Sequence, residues 1–393
     1  MATVTDRIAN LAPEKREILL RQLREQFTVK TPGERLPAVP DQKRRVVPKG
    51  ETNTRLDIPQ PGILDSVAWR TLPRQSPGPG EVEIQVHAAS LNFRDVMIGL
   101  GIYPTPPGMP AIMGSDCAGT IAAVGEGVES MHVGDEVMAL CSNSFSGFVT
   151  AAAATVVPKP SCLTFEEAAS IPTVFVTDWY ALHHLARLSR GERLLIHSAA
   201  GGVGLAAIQM AQSIGAEIVA TVGTPEKREF LQSLGVEHIF NSRSLEFADD
   251  VMKLTGGEGV DVVLNSLAGE AIPRGLSILR PLGRFIELGK RDIYGNSPVG
   301  LLPFHKGLSF FAIELSPLIK LRPLVYRDLF LEVVERFEQK MFKPLPLRVF
   351  PAADVANAFK FMAQGVHIGK IVVTIKDQPV WVSSDANQAA AGR

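Results

Sequence analysis

The pattern of apolar and polar positions changes character along the chain. Val82-Glu83-Ile84-Gln85-Val86-His87-Ala88 alternates with the period of a half-buried strand. Gly119-Thr120-Ile121-Ala122-Ala123-Val124-Gly125 and Val133 to Leu140 read as further strands with turns. Many short strands punctuated by glycine and proline predict a compact β-barrel from about residue 54. Helical patterns follow at Thr164 to Ile171 and Val176 to Leu188. From about 190 to 312 apolar strands alternate with helices. The strands are Leu194–Ile196, Glu217–Val222, His238–Phe240, Val260–Leu264 and Gly283–Leu288. That alternation predicts a doubly wound parallel sheet, so the fold class is α/β. Helices near 324–340 and 353–364 and a strand at Lys370–Ile375 finish the pattern, as if the chain returned to its first domain. At the front, Ile18, Leu19, Leu23 and Phe27 share one face of a short amphipathic helix. Residues 28–53 are rich in proline and charge, and the tail from 377 is polar and alanine-rich; both read as linkers.

Composition narrows the classes. A chain of 393 residues suits two domains plus linkers. The formal net charge of −1 gives no case for nucleic acid or an anionic membrane surface. No apolar run approaches the ~18–20 residues of a membrane span. The polar N-terminus, with Thr5, Asp6 and Arg7, does not read as a signal peptide, and a cytoplasmic location is expected. Cys117, Cys141 and Cys162 are far apart in sequence and form neither a disulfide framework nor a Cys-x-x-Cys zinc site.

The chemistry concentrates at Leu194-Leu195-Ile196-His197-Ser198-Ala199-Ala200-Gly201-Gly202-Val203-Gly204. A strand runs into a glycine-rich turn that opens a helix. Amides in the first turn of a helix have no partner of their own, so this order builds a pyrophosphate site from Ala200, Gly201, Gly202, Val203 and Gly204. The fingerprint is imperfect, because Ala199 stands where the first glycine belongs. The second strand ends in Gly223-Thr224-Pro225, without the carboxylate that holds a ribose 2′-hydroxyl. Thr224, Lys227, Arg228 and Arg243 suit a 2′-phosphate instead, which selects NADPH over NADH. Asn265 and Leu288-Gly289-Lys290 fall at carboxyl ends of strands, where ligands of open parallel sheets bind. Asn265 fits a helix cap equally well.

In combination these motifs carry a resemblance. Gly114-Ser115-Asp116-Cys117-Ala118-Gly119, Val133-Gly134-Asp135 and Ala200 to Gly204 resemble the medium-chain dehydrogenase/reductase superfamily. Leu91-Asn92-Phe93-Arg94-Asp95-Val96-Met97, Asn265-Ser266-Leu267-Ala268-Gly269-Glu270 and Glu287-Leu288-Gly289-Lys290-Arg291-Asp292-Ile293 look like enoyl reductase domains of modular polyketide synthases. The resemblance implies a GroES-like β-barrel at 54–174 and 313–376 and a Rossmann NADPH-binding domain at 175–312. Residues 1–53 and 377–393 are then terminal linkers. It further implies reduction of an α,β-unsaturated thioester on an acyl carrier protein, next to other synthase domains. Tyr103 and Lys290 match proposed proton donors, Glu314 matches an acidic partner of that lysine, and Asn92 and Thr177 join the cofactor contacts. Zinc-dependent relatives carry Gly-His-Glu at Gly114-Ser115-Asp116, so no metal is expected. Two alternatives remain on the same scaffold: reductive ring closure of a halogenated enoyl thioester, decided around residues 99–113, and a free-standing quinone or enone reductase. A non-enzymatic NADPH-binding protein is the third.

Overall fold

The computed structural model of the chain describes residues 52–104 and 112–375. The amphipathic helix and most of the proline-rich stretch expected at the front, the tail from 377, and residues 105–111 of the expected outcome-determining loop lie outside them. The described residues divide into two compact units, one made of those up to 172 and from 347 on, the other of residues 173–346. Residues 313–346, expected above with the β-rich domain, fall in the second unit.

The first unit starts with a β1–β2 ribbon (Thr52–Asp57 and Ala68–Pro73). Its main sheet contains β3 (Glu81–Leu91), β4 (Asp116–Val124), β5 (Glu136–Leu140), β6 (Phe148–Ala152) and β7 (Val156–Pro158). β3 is the long central strand. It pairs antiparallel with both β4 and β6. Its alternation buries Val82, Ile84 and Val86 in one apolar core with Leu91, Ile121 and Phe145. Two irregularities in the β3–β4 register, at Glu83/Ile84 and Val86/Ala88, bend the pair.

The second unit holds β8 (Arg193–Ile196), β9 (Glu217–Val222), β10 (His238–Asn241), β11 (Val260–Asn265), β12 (Leu279–Glu287) and β13 (Ser309–Ala312). They form one sheet in the order β10-β9-β8-β11-β12-β13, with every pair parallel. Renumbered from β8 this is 3-2-1-4-5-6, the doubly wound order whose switch point lies between β8 and β11. Helices Gly202–Ile214, Pro225–Ser233, Phe247–Leu254 and Ala271–Ser277 connect the strands. The apolar strands Leu194–Ile196 and Val262–Leu264 are buried at this centre, as expected of a sheet covered on both faces. Ahead of β8 the helix Pro172–Asp178 widens into a π-helical segment, Trp179–Leu185. The sequence pattern suggests one plain helix there.

The chain then returns to the first sheet. β14 (Leu347–Pro351) lies parallel to β15 (Lys370–Thr374), and β15 pairs antiparallel with β3. Cys117 and Cys141, distant in sequence, come together with their sulfurs 3.6 Å apart. The Cys117 contact and burial push the Cys141 thiol well above its ordinary pKa, which keeps it protonated and unreactive.

Candidate active site

In the second unit the expected nucleotide residues gather at the carboxyl edge of the sheet. Gly201 caps the helix Gly202–Ile214 in extended conformation and offers no side-chain acceptor to its first turn. The first-turn amides of Gly202, Val203 and Gly204 therefore remain available to an anion. Gly204 has no room for a side chain, because a Cβ would fall 2.4 Å from the Ala199 Cα. That close approach explains the need for the third glycine of the fingerprint. Ala200 is buried beside this turn, and Ser198 enters it with a φ of 54°. His197 is buried, and its Nδ1 lies 3.0 Å from the Thr221 hydroxyl. Burial lowers its pKa to about 4, so it is neutral at physiological pH. Thr177 is buried in the helix Pro172–Asp178.

At the end of β9, the Thr224 hydroxyl accepts from the Lys227 amide and starts the next helix. Arg243 lies against Gly223. Burial, and then the neighbouring Arg243 charge, lowers the pKa of Lys227. Two cations this close at a strand end make a setting that an anion would relieve. The residues present thus fit a 2′-phosphate, and the helix terminus fits a pyrophosphate.

Asn265 and Glu287 end the parallel strands β11 and β12 in register. Both are buried. Asn265 Nδ2 donates to Glu287 Oε2 at 2.6 Å and to the Leu267 carbonyl at 2.7 Å. Its amide is thus used within the protein to hold the turn at Leu267, and it caps no helix, since Glu270 stands at the N-cap of the helix Ala271–Ser277. After Leu288 and Gly289 comes Lys290, whose Nζ is 2.9 Å from Glu314 Oε2 and also donates to the Ile313 carbonyl. Burial opposes ionisation of Glu314, but Lys290 and the Ser316 amide and hydroxyl outweigh it, so its carboxyl stays below the usual range. An open groove of about 420 Å³ runs beside Glu314, lined by Tyr180, Leu318, Leu321, Arg322 and Val325.

In the first unit Tyr103 packs against the apolar core and lies 5.6 Å from the Arg94 guanidinium. Its amide donates to the Met97 carbonyl. Asn92 donates from Nδ2 to Asp116 at 2.9 Å and accepts at Oδ1 from Lys370 Nζ at 2.7 Å. Lys370, only 3% exposed, also donates to the Leu91 carbonyl and sits 3.6 Å from Asp116. Asp95 accepts from the amides of Asn92 and Gly114, while Arg94 turns to the Ile112 carbonyl, so these neighbours serve separate partners instead of the ion pair their adjacency suggests. Asp116 and Lys370 escape the reading of the sequence as site residues. Their only signal is a lysine inside an apolar strand, Gly369-Lys370-Ile371-Val372-Val373.

Among the described residues, one set has the spacing to ligate a cation: His183, His184 and Glu332, within 4.8 Å of one another and away from Ser115 and Asp116 in sequence. Glu332 already accepts from Trp179 and from His184. His367 packs on the Phe361 ring, 6.5 Å between centroids.

Comparison with known proteins gives this geometry its family. Residues 78–175 match the alcohol dehydrogenase GroES-like domain, and residues 202–315 match the family described as zinc-binding dehydrogenase. A phenolphthiocerol/phthiocerol polyketide synthase polypeptide of Mycobacterium tuberculosis is 45% identical over 321 residues, covering 82% of this chain and 15% of that protein. The phthioceranic/hydroxyphthioceranic acid synthase of the same species is 43% identical over 342 residues, covering 86% of this chain and 16% of that protein. The chain thus spans about a sixth of the length of these curated relatives. Among solved structures, the CurK enoyl reductase superposes with a TM-score of 0.75 at 44% identity, covering 82% of this chain and 99% of that one. The CurF ER cyclopropanase from the curacin A pathway gives 0.76 at 39% identity, again over 82% and 99%. No helix among the described residues is long and apolar enough to cross a membrane. The chain is an oxidoreductase that belongs to the enoyl reductases of the medium-chain dehydrogenase/reductase superfamily, the branch found in polyketide synthases.

Proposed function

We propose that the chain reduces the α,β double bond of an enoyl thioester carried by an acyl carrier protein, with NADPH as reductant, next to other domains of a polyketide synthase. The observation that carries this reading is the Lys290–Glu314 pair at the carboxyl edge of a nucleotide-binding sheet, beside an apolar groove. Residues 200–204 would hold the cofactor pyrophosphate, and Thr224, Lys227 and Arg243 its 2′-phosphate. Asn92, Thr177, Leu288 and Gly289 are the remaining cofactor contacts proposed, with Asn265, expected among them, instead holding the turn behind Leu288 and Gly289. When bound, the cofactor supplies hydride to Cβ.

Charge then develops on the thioester oxygen, and Cα needs a proton. Lys290 carries protons at a fixed point, because Glu314 and the Ile313 carbonyl restrain its ammonium. Tyr103 offers a phenolic O–H as a donor. These two are the proposed donors, and Glu314 is the orienting acid. Leu318, Leu321 and Val325 give an acyl chain an apolar wall. Protein groups supply all of the polarisation in this reading, because Asp116 is already committed to Asn92 and Lys370.

The experiment follows cofactor oxidation with a crotonyl-type thioester. NADPH should exceed NADH by at least about tenfold in kcat/KM, because charge-assisted contacts to the extra phosphate are lost with NADH. Lys227→Ala with Arg243→Ala should erase that preference. Equal use of both coenzymes by the unaltered protein would end the 2′-phosphate argument.

A further inference from the structure

Lys290 is held by a hub that the proposed mechanism does not use. Glu287 occupies the last position of β12 and is only 2% exposed. Its Oε2 accepts from Asn265 Nδ2, and its Oε1 accepts from the Gly289 amide at 2.5 Å. Its main-chain carbonyl accepts from the Ile313 amide at 2.9 Å. Ile313 in turn offers its own carbonyl to Lys290. On the other side, the Leu288 amide donates to the Asn265 carbonyl at 2.9 Å. Gly289 is matched to this arrangement, because a Cβ there would meet Glu287 Oε1 at 2.6 Å. Three strand ends, β11, β12 and β13, are therefore tied together through one residue.

We propose that Glu287 is the positioning residue of this site: its carboxylate clamps the Asn265 turn to the Gly289 amide and thereby fixes the loop from which Lys290 projects. The inference rests on Lys290 acting in the reduction proposed above. A carboxylate accepts from both donors at once. A protonated acid carries a hydrogen on one oxygen, which then faces an N–H and weakens that arm of the clamp. The charged groups around it are Asp292, in the short helix Arg291–Tyr294, and Lys290 with its partner Glu314. Asn265 of β11 and the main chain of Ile313 after β13 are uncharged. Burial raises the Glu287 pKa to about 7, against the hydrogen bonds from Asn265 and Gly289 and the charge of Lys290, with Asp292 adding to the rise. The clamp therefore tightens as pH rises through neutrality.

The test compares the protein with Glu287→Gln from pH 5.5 to 9, using saturating NADPH and a crotonyl-type thioester. Glutamine keeps the size of the side chain but has only one acceptor, so it mimics the protonated state. The unaltered protein should show kcat rising through an inflection near pH 7. The variant should stay on the low plateau, about tenfold slower at pH 8.5, the value of one charge-assisted hydrogen bond. A variant that keeps the inflection, or equals the unaltered protein at pH 8.5, overturns the proposal. A second readout needs no turnover. A carboxyl with a raised folded pKa stabilises the fold below its unfolded pKa and loses that contribution as pH rises toward 7. The thermal midpoint of Glu287→Gln relative to the unaltered protein should therefore climb between pH 5.5 and 8. A flat difference overturns the titration of Glu287. Absence of turnover from the unaltered protein, with that climb present, instead counts against the reductase reading.

Discussion

Single buried residues set how this chain answers to pH. Asp178 lies at the junction of the helix Pro172–Asp178 with the π-helical segment. Both of its carboxylate oxygens are buried without a well-formed hydrogen bond, the Ala207 main chain giving only a weak one. Burial raises its pKa well above the ordinary carboxylate value, with only the main chain of Ala207 pulling the other way. The folded protein therefore binds a proton that the unfolded chain releases near pH 4. Stability contributed by that proton is complete below the unfolded pKa. It falls by up to about 1.4 kcal/mol per pH unit until the folded pKa is passed. Asp178→Asn keeps the shape and removes the titration. The variant should melt higher than the unaltered protein at pH 8, and its advantage should shrink toward pH 5. Melting curves over that range check this; an advantage that grows toward acid pH would show that Asp178 is ionised in the fold. The sequence could not flag this residue, since Thr177-Asp178 reads as an ordinary polar step in a helix. Only burial on every side reveals it.

At the level of elements, β15 matters because of one lysine. Lys370 brings an ammonium into the core of the first unit, where it meets the Leu91 carbonyl, Asn92 and Asp116. Burial lowers its pKa, and Asp116 and Asp95 oppose that shift. Lys370→Met fits the apolar stem but leaves Asp116 buried without its counter-charge. Breaking a buried pair from one side costs about 3–5 kcal/mol, whereas replacing both members is much milder. The double variant Lys370→Met with Asp116→Asn should therefore recover most of the loss in urea unfolding. Additive losses would show that the two groups are uncoupled. The contrast with the Rossmann unit shows what sequence makes legible. Five of its six strands are readable because each contains a short apolar run, β13 (Ser309–Ala312) being missed, and its nucleotide turn is readable because all of its parts are local. Lys290 and Glu314 are readable only through resemblance. The groups that hold the site are joined by contacts between residues 22 to 278 positions apart, such as Asn265 with Glu287 and Asn92 with Lys370. Local pattern carries no trace of such pairs. The π-helical turn at Trp179–Leu185 is hidden for a related reason, because its period differs from that of an α-helix by little over so few residues.

For the whole molecule, the fold alone does not decide the product. A reductase and a cyclopropanase share this architecture at 44% and 39% identity to the chain. The choice is kinetic. Hydride addition to Cβ leaves negative charge shared between Cα and the thioester oxygen. If a proton reaches Cα first, the product is the saturated acyl chain. If a leaving group on the β-substituent departs first, Cα closes a three-membered ring and halide is released. Two donors are proposed for the first route, Tyr103 and Lys290. An enoyl thioester bearing chlorine on its β-substituent should therefore gain two hydrogens and keep its chlorine in mass spectra. Tyr103→Phe and Lys290→Met each remove one donor without removing hydride delivery. Each should slow saturation by about 10- to 100-fold, toward the lower end of general-acid contributions because a second donor remains. The double variant should divert a measurable share of the chlorinated probe to the ring-closed product, since the carbanion then persists long enough to displace chloride. Chloride loss from the unaltered protein would assign it to ring closure. Unchanged saturation in the double variant would remove both residues from proton delivery and leave the proton to solvent.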